Sequence, residues 1–487
     1  MVKRKNSFQL NQEIEEALSK EPAWVRKLTI KDWQDYLKGE VVSKYEVKDI
    51  APPLAKDVDV LKNTSKELRA EWVSLGEKAL KKGQVAVYIG EAGQATNFGS
   101  CTKAIVEVRG DKTFHELKLE DVRTFQKKYK IQLPIFKFVS QETAKDIAQL
   151  EKKKKLLKGL KVYEILQHLT LRAEPEYNAL KVGKKLSGEI DYAVGGHWFI
   201  FPEFREQGLM QAKKLGIKFV LFSNIDNLGA NIYPLLIGYH IWKKNQMTME
   251  VADKHKGDKG GVGARIKGKF GLLEGPRVPA EWQERFEGTK VFKYFNTNTF
   301  VLSIAAFSCK KIPGPMISKK VLEGKEKIIF ERIAGEMMLF LKSSILATDR
   351  NLRFNPSKFI TDLWLQRSDW CVLKKGQVCP AQDEKGHYIR KPYLKIGESI
   401  LKSVIDLEER IAAGGRNTSL REVKKLVIGG PKKKFDVYGD VRIGKNVKFK
   451  GDVEIIFEGP NSDLIISDNA VIADKKIVIP EGEHRII

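Results

Sequence analysis

Cysteine is scarce in this chain, and the cysteines form no motif. Four occur in 487 residues, with no CxxC pair, and the seven histidines include no HxxxH pair and no cluster with cysteine. A disulfide framework and a zinc site are therefore not expected.

Long apolar runs are also missing. The longest, about a dozen residues around Phe300–Cys309, is well short of the roughly 18 residues that indicate a membrane-spanning helix. The amino-terminal sequence MVKRKNSFQLNQEIEEAL has basic residues but lacks the apolar core of a signal peptide. We therefore expect a soluble, cytoplasmic protein that has no membrane partner.

The composition is that of a large globular protein with a strong positive charge. A length of 487 residues suggests about three domains, and an apolar fraction of 42% is enough for substantial cores. The 87 Lys and Arg residues exceed the 62 Asp and Glu residues by 25. This excess favours an anionic partner: a nucleotide, a sugar phosphate, a nucleic acid or an acidic membrane. Nucleic acid is disfavoured because zinc-finger, RNP-type and basic-zipper patterns are absent.

The hydrophobic pattern predicts an α/β protein after a helical amino-terminal segment. Residues 1–80 carry helical spacing, broken at Pro52–Pro53. Apolar strands then alternate with amphipathic helices, which favours a mainly parallel sheet with ligand loops at the carboxyl ends of its strands. The predicted elements are strands at 85–89, 104–108, 135–139 and 217–222, a helix at 117–129 and a connecting helix at 397–411.

A six-residue repeat predicts a different architecture beyond residue 425. Apolar residues recur every six positions, and glycines stand at 439, 444 and 451. Inward-facing residues at this spacing are typical of a hexapeptide parallel β-helix, although ordinary hairpins with accidental spacing are the alternative. The first series is Val441, Val447, Val453, Ile465, Val471 and Ile477, and the second is Ile443, Phe449, Ile455 and Ile479.

Three segments carry residues suited to phosphate and sugar chemistry. The glycine-rich segment 90–99, followed by Lys103, is either a phosphate-binding loop or a solvent loop. Asp226, after a buried strand, is either a Mg²⁺ ligand or a helix cap. Lys293 and the amides of Asn296 and Asn298 either contact a sugar phosphate or end a polar strand.

The order and spacing of several segments resemble the eukaryotic-type UDP-glucose pyrophosphorylase (UTP–glucose-1-phosphate uridylyltransferase) family from about residue 84 to the carboxyl end. These segments are FSNIDNLGA, MEVADK, DKGG, LLEGPRVP, VFKYFNTNTFVLSIAAF and GDVRIGKNVKFKGDVEII. The resemblance implies a Rossmann-like, GT-A-like nucleotidyltransferase domain at 81–395. It also implies a linker helix and a left-handed parallel β-helix at 396–487, after the helical segment 1–80.

The resemblance also implies roles for individual residues. They are Lys103 and Lys293 in catalysis, Asp226 as the ligand of a Mg²⁺ cofactor, Gly90, Gly93 and His197 in nucleotide binding, and Gly260, Glu274 and Asn296 in sugar binding. The implied reaction joins UTP and glucose 1-phosphate to give UDP-glucose and pyrophosphate. The implied assembly is a homo-oligomer formed through the β-helix.

Three segments depart from the family pattern. The family's GPK is here Cys101-Thr102-Lys103. The family's GGLGTxMG is here GEAGQATNFG, in which Glu91 adds a negative charge near the expected phosphates, and its GHGD is here Gly196-His197-Trp198-Phe199. The altered glycine loop favours an alternative function, that of a catalytically silent relative that binds nucleotide sugar or scaffolds partners. The retained Lys103, Asp226 and Lys293 favour the enzyme.

Overall fold

The computed structural model describes residues 7–487 apart from 43, 96–97, 177–178, 256, 259 and 375–376. The side chains at positions 7, 8, 94 and 95 are likewise not described. Thr96 and Asn97 of the predicted nucleotide loop therefore lie outside the described residues.

Twelve α-helices lie within the described residues, and none of them is both long and apolar enough to cross a membrane. Their bounds are α1 Ser7–Ala17, α2 Ala23–Leu37, α3 Lys66–Lys81, α4 Phe114–Tyr129, α5 Gln141–Lys154, α6 Ile200–Glu203, α7 Leu209–Lys214, α8 Pro234–Lys243, α9 Gln283–Glu287, α10 Arg350–Arg353, α11 Ile360–Arg367 and α12 Val404–Arg410.

A large mixed sheet lies at the centre of the molecule. Its strands are β1 Ile50–Ala51, β2 Val58–Val60, β3 Val85–Gly90, β8 Ile135–Val139, β9 Val162–Leu166, β14 Phe219–Asn224, β15 Met247–Asp253, β16 Val262–Ile266, β17 Lys269–Leu273, β18 Tyr294–Ser303 and β21 Ser343–Thr348. The main path runs β2-β21-β15-β18-β14-β3-β8-β9, with β16 joined to β1, β17 and β18.

The expectation of a mainly parallel sheet is confirmed only in part. Strand β18 is antiparallel to both of its neighbours, β14 and β15, whereas the other pairings along the main path are parallel. Because β18 runs backwards, its amino-terminal end meets the carboxyl ends of β14 and β15. This reversal brings the segment around Asn296 to the same sheet edge as Gly90 and Asp226.

Both faces of the central sheet are covered, and this explains the unbroken apolar run in β3. Val85, Val87 and Ile89 pack into one buried cluster with α3, α4 and α8, while Ala86 and Tyr88 pack into a second cluster on the opposite face. A strand buried on both faces needs no polar alternation.

Smaller sheets and hairpins surround the central sheet. The predicted strand at 104–108 is wrong in part, because residues Lys103–Ile105 form a 3₁₀ turn and the strand there starts at Glu107. The strands are β4 Gln94–Ala95, β5 Cys101–Thr102, β6 Glu107–Arg109, β7 Lys112–Thr113, β10 Leu169–Leu171, β11 Ala173–Glu176, β12 Ala179–Val182, β13 Tyr192–Val194, β19 Met316–Leu322, β20 Lys325–Glu331, β22 Cys371–Lys374 and β23 Gln377–Pro380.

The carboxyl-terminal strands form two sheets in which every described pairing is parallel. One sheet contains β24, β25, β27, β29 and β30, and the other contains β26, β28 and β31. Their bounds are β24 Tyr393–Ile396, β25 Ser419–Gly429, β26 Asp440–Ile443, β27 Lys448–Phe457, β28 Asp463–Ile466, β29 Val471–Ala473, β30 Lys476–Ile479 and β31 His484–Ile486.

The predicted six-residue series is correct up to Ile455 and wrong for two residues beyond it. Val441, Val447, Val453 and Ile477 are buried, but Ile465 and Val471 are 38% and 58% exposed. Their neighbours Leu464, Ile466 and Ile472 are buried instead. A shift of one residue turns every side chain of a strand to the other face. The inward positions are shifted by one residue after the turn around Gly459–Asn461, and the buried Ile477 and Ile479 show that the original series is restored in β30.

Candidate functional site

The carboxyl ends of β3 and β14 bring the glycine-rich segment and the aspartate loop together. Gly90 pairs with Asn224, and its carbonyl oxygen accepts a hydrogen bond from the Ile225 amide at 3.0 Å. A Cβ at Gly90 would lie 3.1 Å from the Phe222 ring and 3.2 Å from Asn224 Oδ1, so glycine permits the close approach. Gly93 lies farther along the loop, in open space.

Lys103 and Asp226 meet at this edge, although 123 residues separate them. The Lys103 Nζ atom lies 3.1 Å from Asp226 Oδ2 and donates a second hydrogen bond, of 2.7 Å, to the carbonyl oxygen of Ser357. The same ammonium group lies 4.6 Å from the centre of the Phe98 ring. The two side chains are 12% and 21% exposed, so the pair is accessible but mostly shielded from solvent.

A buried network fixes the loop that carries Asp226. The Ser357 amide donates to the Asp226 carbonyl at 3.0 Å. Asn227 Oδ1 accepts hydrogen bonds from the amides of Gly229 at 3.1 Å and Asn355 at 3.0 Å. Since neighbouring backbone groups are held on both sides, the position of the carboxylate is set by the fold.

The asparagine-rich start of β18 lies at the same edge. Between β15 and β18 the pairing skips Thr297 and Asn298, which form a bulge. Asn298, at φ 56°, donates from Nδ2 to Asn224 Oδ1 at 2.9 Å. Asn298 Oδ1 and Thr299 Oγ1 are buried atoms without a hydrogen-bond partner among the described residues. Unpaired buried polar atoms are uncommon in folded proteins and call for an explanation.

The three predicted sugar-binding residues lie together. The Asn296 amide donates to the Gly261 carbonyl at 2.8 Å, and a Cβ at Gly260 would lie 2.8 Å from the Phe295 ring. A Cβ at Gly261 would lie 2.5 Å from Glu274 Oε1, which places the Glu274 carboxyl against this glycine pair.

The carboxyl group of Glu274 has a raised pKa. Burial raises its pKa to about 7, and the carboxylate of Glu336 adds to the rise. The charge of Lys358 acts in the opposite direction. Near neutral pH this group therefore exists in both protonation states and can both donate and accept hydrogen bonds.

Lys293 lies at the same edge but apart from the Lys103–Asp226 pair. It immediately precedes β18, its carbonyl accepts from the Lys254 amide at 2.8 Å, and its side chain is exposed between the buried Phe292 and the partly buried Tyr294. No contact between Lys293 and Lys103 or Asp226 occurs in the described part of the chain.

His197 belongs to a different environment from the other candidates. It begins a 3₁₀ turn after β13, and its Nδ1 atom accepts a hydrogen bond from the Ala334 amide at 3.0 Å. Burial lowers the pKa of His197 to about 4, so the ring is neutral at pH 7. The described residues show no contact between it and the glycine-rich segment.

Glu91 does not face the solvent side of the loop. Its side chain is fully buried, and Oε1 lies 2.7 Å from His115 Nδ1 on α4. Burial alone would lower the pKa of His115, but attraction and hydrogen bonding from Glu91 and Glu151 outweigh it and raise the pKa to about 9. The imidazolium therefore balances the negative charge of Glu91.

Comparisons with known proteins show the family of this chain. The family model of UTP–glucose-1-phosphate uridylyltransferase matches residues 31–450. The chain belongs to this family. Within the uridylyltransferase family it is 28% identical over 384 residues to "UTP–glucose-1-phosphate uridylyltransferase 2" of Dictyostelium discoideum, covering 77% of this chain and 73% of the relative. The enzyme of Hordeum vulgare is 28% identical over 457 residues, covering 91% of this chain and 87% of its own length.

Solved structures of UDP-glucose pyrophosphorylases share the fold. A mutant of the Leishmania major protein in complex with UDP-glucose matches with a TM-score of 0.80 at 20% identity, covering 96% of this chain and 99% of its own. The Trypanosoma brucei protein matches with a TM-score of 0.79 at 19% identity, covering 96% and 99%. These values establish the uridylyltransferase fold for nearly the whole chain.

The sequence reasoning missed several residues that surround this candidate site. Lys118 and Asp121 fall on the apolar stripe of α4 between Phe114 and Phe125, and a charge on such a stripe is a signal that could have been noticed. Asn355 and Lys358 have no such local signal, because only the fold brings their segment to the sheet edge.

Proposed function

We propose that this protein is a uridylyltransferase that converts UTP and glucose 1-phosphate into UDP-glucose and pyrophosphate. Family membership supports the reaction class. The observation that carries the proposal for this chain is the Lys103–Asp226 pair, whose atoms lie 3.1 Å apart at the end of β14. A cation and a carboxylate at this edge are suited to a nucleoside triphosphate bound with a divalent cation.

The reaction needs positioning more than covalent help from the protein. A phosphate oxygen of glucose 1-phosphate attacks the α-phosphorus of UTP and forms the new P–O bond. The bond from the α-phosphorus to the oxygen that bridges to the β-phosphate breaks, and pyrophosphate leaves with the electron pair. Negative charge grows on the oxygens around the transferred group, so fixed positive charges lower the barrier.

We propose that Lys103 and Lys293 stabilise the negative charge on these phosphate oxygens. Lys103 is held beside Asp226 and neutralises phosphate oxygens of the triphosphate. Lys293, exposed at the same edge, contacts the phosphate that is being transferred. Both act as electrostatic stabilisers, and neither changes its covalent state.

A Mg²⁺ cofactor fits the donor set at this edge. Among the described residues, no group of three or more His, Cys, Asp or Glu side chains is placed to hold a metal ion. Mg²⁺ in nucleotide sites commonly takes one or two carboxylates and completes its shell with phosphate oxygens and water, which matches the accessible Asp226 carboxylate. When bound, the ion supplies further neutralisation of the phosphates.

Nucleotide and sugar binding are assigned to separate groups of residues. Gly90 and Gly93 allow the loop backbone to approach the nucleotide. The assignment of His197 to nucleotide binding rests on the family resemblance, because its neutral ring does not contact this loop. The amide of Asn296 and the carboxyl of Glu274 hydrogen-bond sugar hydroxyls, and Gly260 leaves room for the ring.

The remaining assignments concern the whole chain. We propose a division of the chain at 1–80, 81–395 and 396–487, in which β1 and β2 of the first part join the central sheet of the second. The last part forms a left-handed β-helix that mediates homo-oligomerisation. Parallel pairing throughout the carboxyl-terminal sheets supports the β-helix. A cytoplasmic location stays a prediction of the sequence.

A substrate panel tests the proposed function. Purified protein is incubated with Mg²⁺ and each pairing of UTP, ATP, GTP or CTP with glucose, galactose or N-acetylglucosamine 1-phosphate, and pyrophosphate release is measured. We expect the highest kcat/KM for UTP with glucose 1-phosphate. Binding of UDP-glucose without pyrophosphate release from any pairing would instead support the silent relative.

A further inference from the structure

Helix α4 carries three charged side chains on one buried stripe. His115, Lys118 and Asp121 follow one another at intervals of three residues, and their exposed fractions are 0%, 5% and 4%. Buried charge is costly unless it is paired or hydrogen-bonded. The partners of these three residues therefore indicate what the stripe does.

His115 holds the start of the glycine-rich segment. Its Nδ1 atom lies 2.7 Å from Glu91 Oε1, one residue after the end of β3. Its other nitrogen lies 3.0 Å from Glu151 of α5, which also accepts a hydrogen bond of 2.7 Å from Lys137 of β8. Glu91 is thus tied to the neighbouring elements as well as to α4.

Lys118 and Asp121 hold the loop that carries Asp226. Lys118 Nζ donates to the carbonyl oxygens of Asn227 at 2.9 Å and Ala230 at 2.8 Å. Asp121 Oδ2 accepts a hydrogen bond of 2.8 Å from the Ile232 amide. Both residues contact backbone groups, so they fix the path of the loop irrespective of its side chains.

We propose that the charged stripe of α4 is a brace that sets the distance between the two active-site loops. His115 anchors one loop, and Lys118 with Asp121 anchors the other, one turn along the same rigid helix. Lys103 follows the first loop and Asp226 lies in the second, so the brace maintains their alignment. His115, Lys118 and Asp121 are then positioning residues, and this role rests on the proposed function.

The brace predicts that loosening one anchor reduces turnover without unfolding the protein. A displacement of about 1 Å in an active site can lower the rate by about a hundredfold. We therefore expect Lys118→Met to lower kcat by roughly tenfold to a hundredfold in the folded fraction. Glu91→Gln keeps the side-chain shape and removes the ion pair with His115, and we expect a loss of about tenfold.

The test combines kinetics with hydrogen exchange on the substrate-free protein. The variants are Lys118→Met, Asp121→Asn and Glu91→Gln, and the control is Lys127→Met, which removes an exposed lysine from the same helix. We expect faster exchange of the amides at 225–232 in the first two variants and of those at 90–93 in the third. The control should match the wild type in both measurements.

The double variant Lys118→Met/Glu91→Gln separates a brace from two independent supports. If Lys118 and Glu91 maintain the same loop alignment, the fold-loss of kcat in the double variant should be smaller than the product of the two single fold-losses. If Lys118→Met does not fold, Asp121→Asn with Glu91→Gln replaces it.

The brace would be overturned if the folded single variants kept both the kcat and the loop exchange rates of the wild type. It would also be overturned if the kcat loss of the double variant equalled the product of the single losses. An inactive wild-type protein in the same assay would instead refute the proposed function, and the exchange rates would still decide whether α4 holds the loops.

Discussion

At the scale of single residues, the chemistry depends on where a few charges are held. Asp226 is positioned by backbone hydrogen bonds on both sides and is approached by Lys103. The sequence pointed to both residues: Asp226 follows a buried strand in a segment that resembles the family, and Lys103 follows the glycine-rich segment and matches the family's lysine there. It did not predict that Glu91 is buried against His115, since that pairing joins residues on two elements that meet only in the folded chain.

Replacing Asp226 by asparagine tests its role towards the cation. Asp226→Asn keeps the shape and removes the negative charge, so we expect most turnover to be lost while the melting temperature stays close to that of the wild type. The measurement is kcat over a range of Mg²⁺ concentrations, with Asp111→Asn, at an exposed turn, as the control. Wild-type kcat at saturating Mg²⁺ would show that Asp226 holds no metal ion.

Lys293 gives a second test at this scale. Its exposed side chain is free to reach the transferred phosphate, so Lys293→Ala should lower kcat by about two to three orders of magnitude and change sugar-phosphate affinity less. Lys293→Arg should restore only part of the rate, because a planar guanidinium is not a point charge. Lys290→Ala, three residues earlier and also exposed, is the control. An increase in KM with unchanged kcat would make Lys293 a binding residue only.

At the scale of elements, apolar patterns predicted the positions of the strands better than they predicted which side chains of a strand face the core. The runs that became β3, β8 and β14 are visible in the sequence, because buried parallel strands need continuous apolar residues. The antiparallel direction of β18 and the bulge at Thr297–Asn298 leave no such signal, since pairing direction depends on distant partners. The six-residue series failed at Ile465 and Val471 because the register shifts by one residue before β28 and returns to the series in β30.

The contact between α4 and the glycine-rich segment should make stability depend on pH. Burial lowers the pKa of His115, but the carboxylates of Glu91 and Glu151 outweigh burial and raise the pKa from its usual 6.5 to about 9. The Lys137 ammonium lies nearby and donates a hydrogen bond to Glu151. The stabilising effect of His115 is therefore complete below about pH 6.5 and lost as the pH rises towards 9. We expect the free energy of unfolding of the wild type to fall over this range.

A variant in which two amides replace the ion pair isolates this effect. In Glu91→Gln/His115→Gln the loss between pH 6.5 and 9 should be smaller, as measured by urea unfolding at several pH values. Because Lys118 and other groups titrate in both proteins, the difference between the two curves is the informative quantity. Parallel curves would mean that His115 is not charged in the folded state.

The carboxyl-terminal sheets offer a matched pair of positions. Val447 is fully buried, so Val447→Asp places an unpaired carboxylate in the core at a cost of several kcal/mol. We expect this module to melt at a lower temperature, or to associate differently, while the central sheet stays folded. Val471→Asp, at a position that is 58% exposed, should have little effect. Equal effects at both positions would contradict the observed register.

At the scale of the whole molecule, the fold gathers segments from five distant parts of the chain at one edge of the central sheet. The order of the motifs predicted the family, and the strand pattern predicted that the loops after β3 and β14 would meet. The contribution of residues 353–358 was not predicted, because it depends on how the chain returns to the sheet after β21. The net charge of +25 favoured an anionic ligand without identifying it.

The most direct test of the central claim follows the α-phosphate of UTP. Protein, Mg²⁺, glucose 1-phosphate and UTP labelled at the α-phosphorus are incubated, and the products are separated. The account predicts labelled UDP-glucose and unlabelled pyrophosphate in equal amounts, with little of either from Asp226→Asn. Absence of labelled UDP-glucose from wild-type protein that is folded and binds UDP-glucose would contradict it.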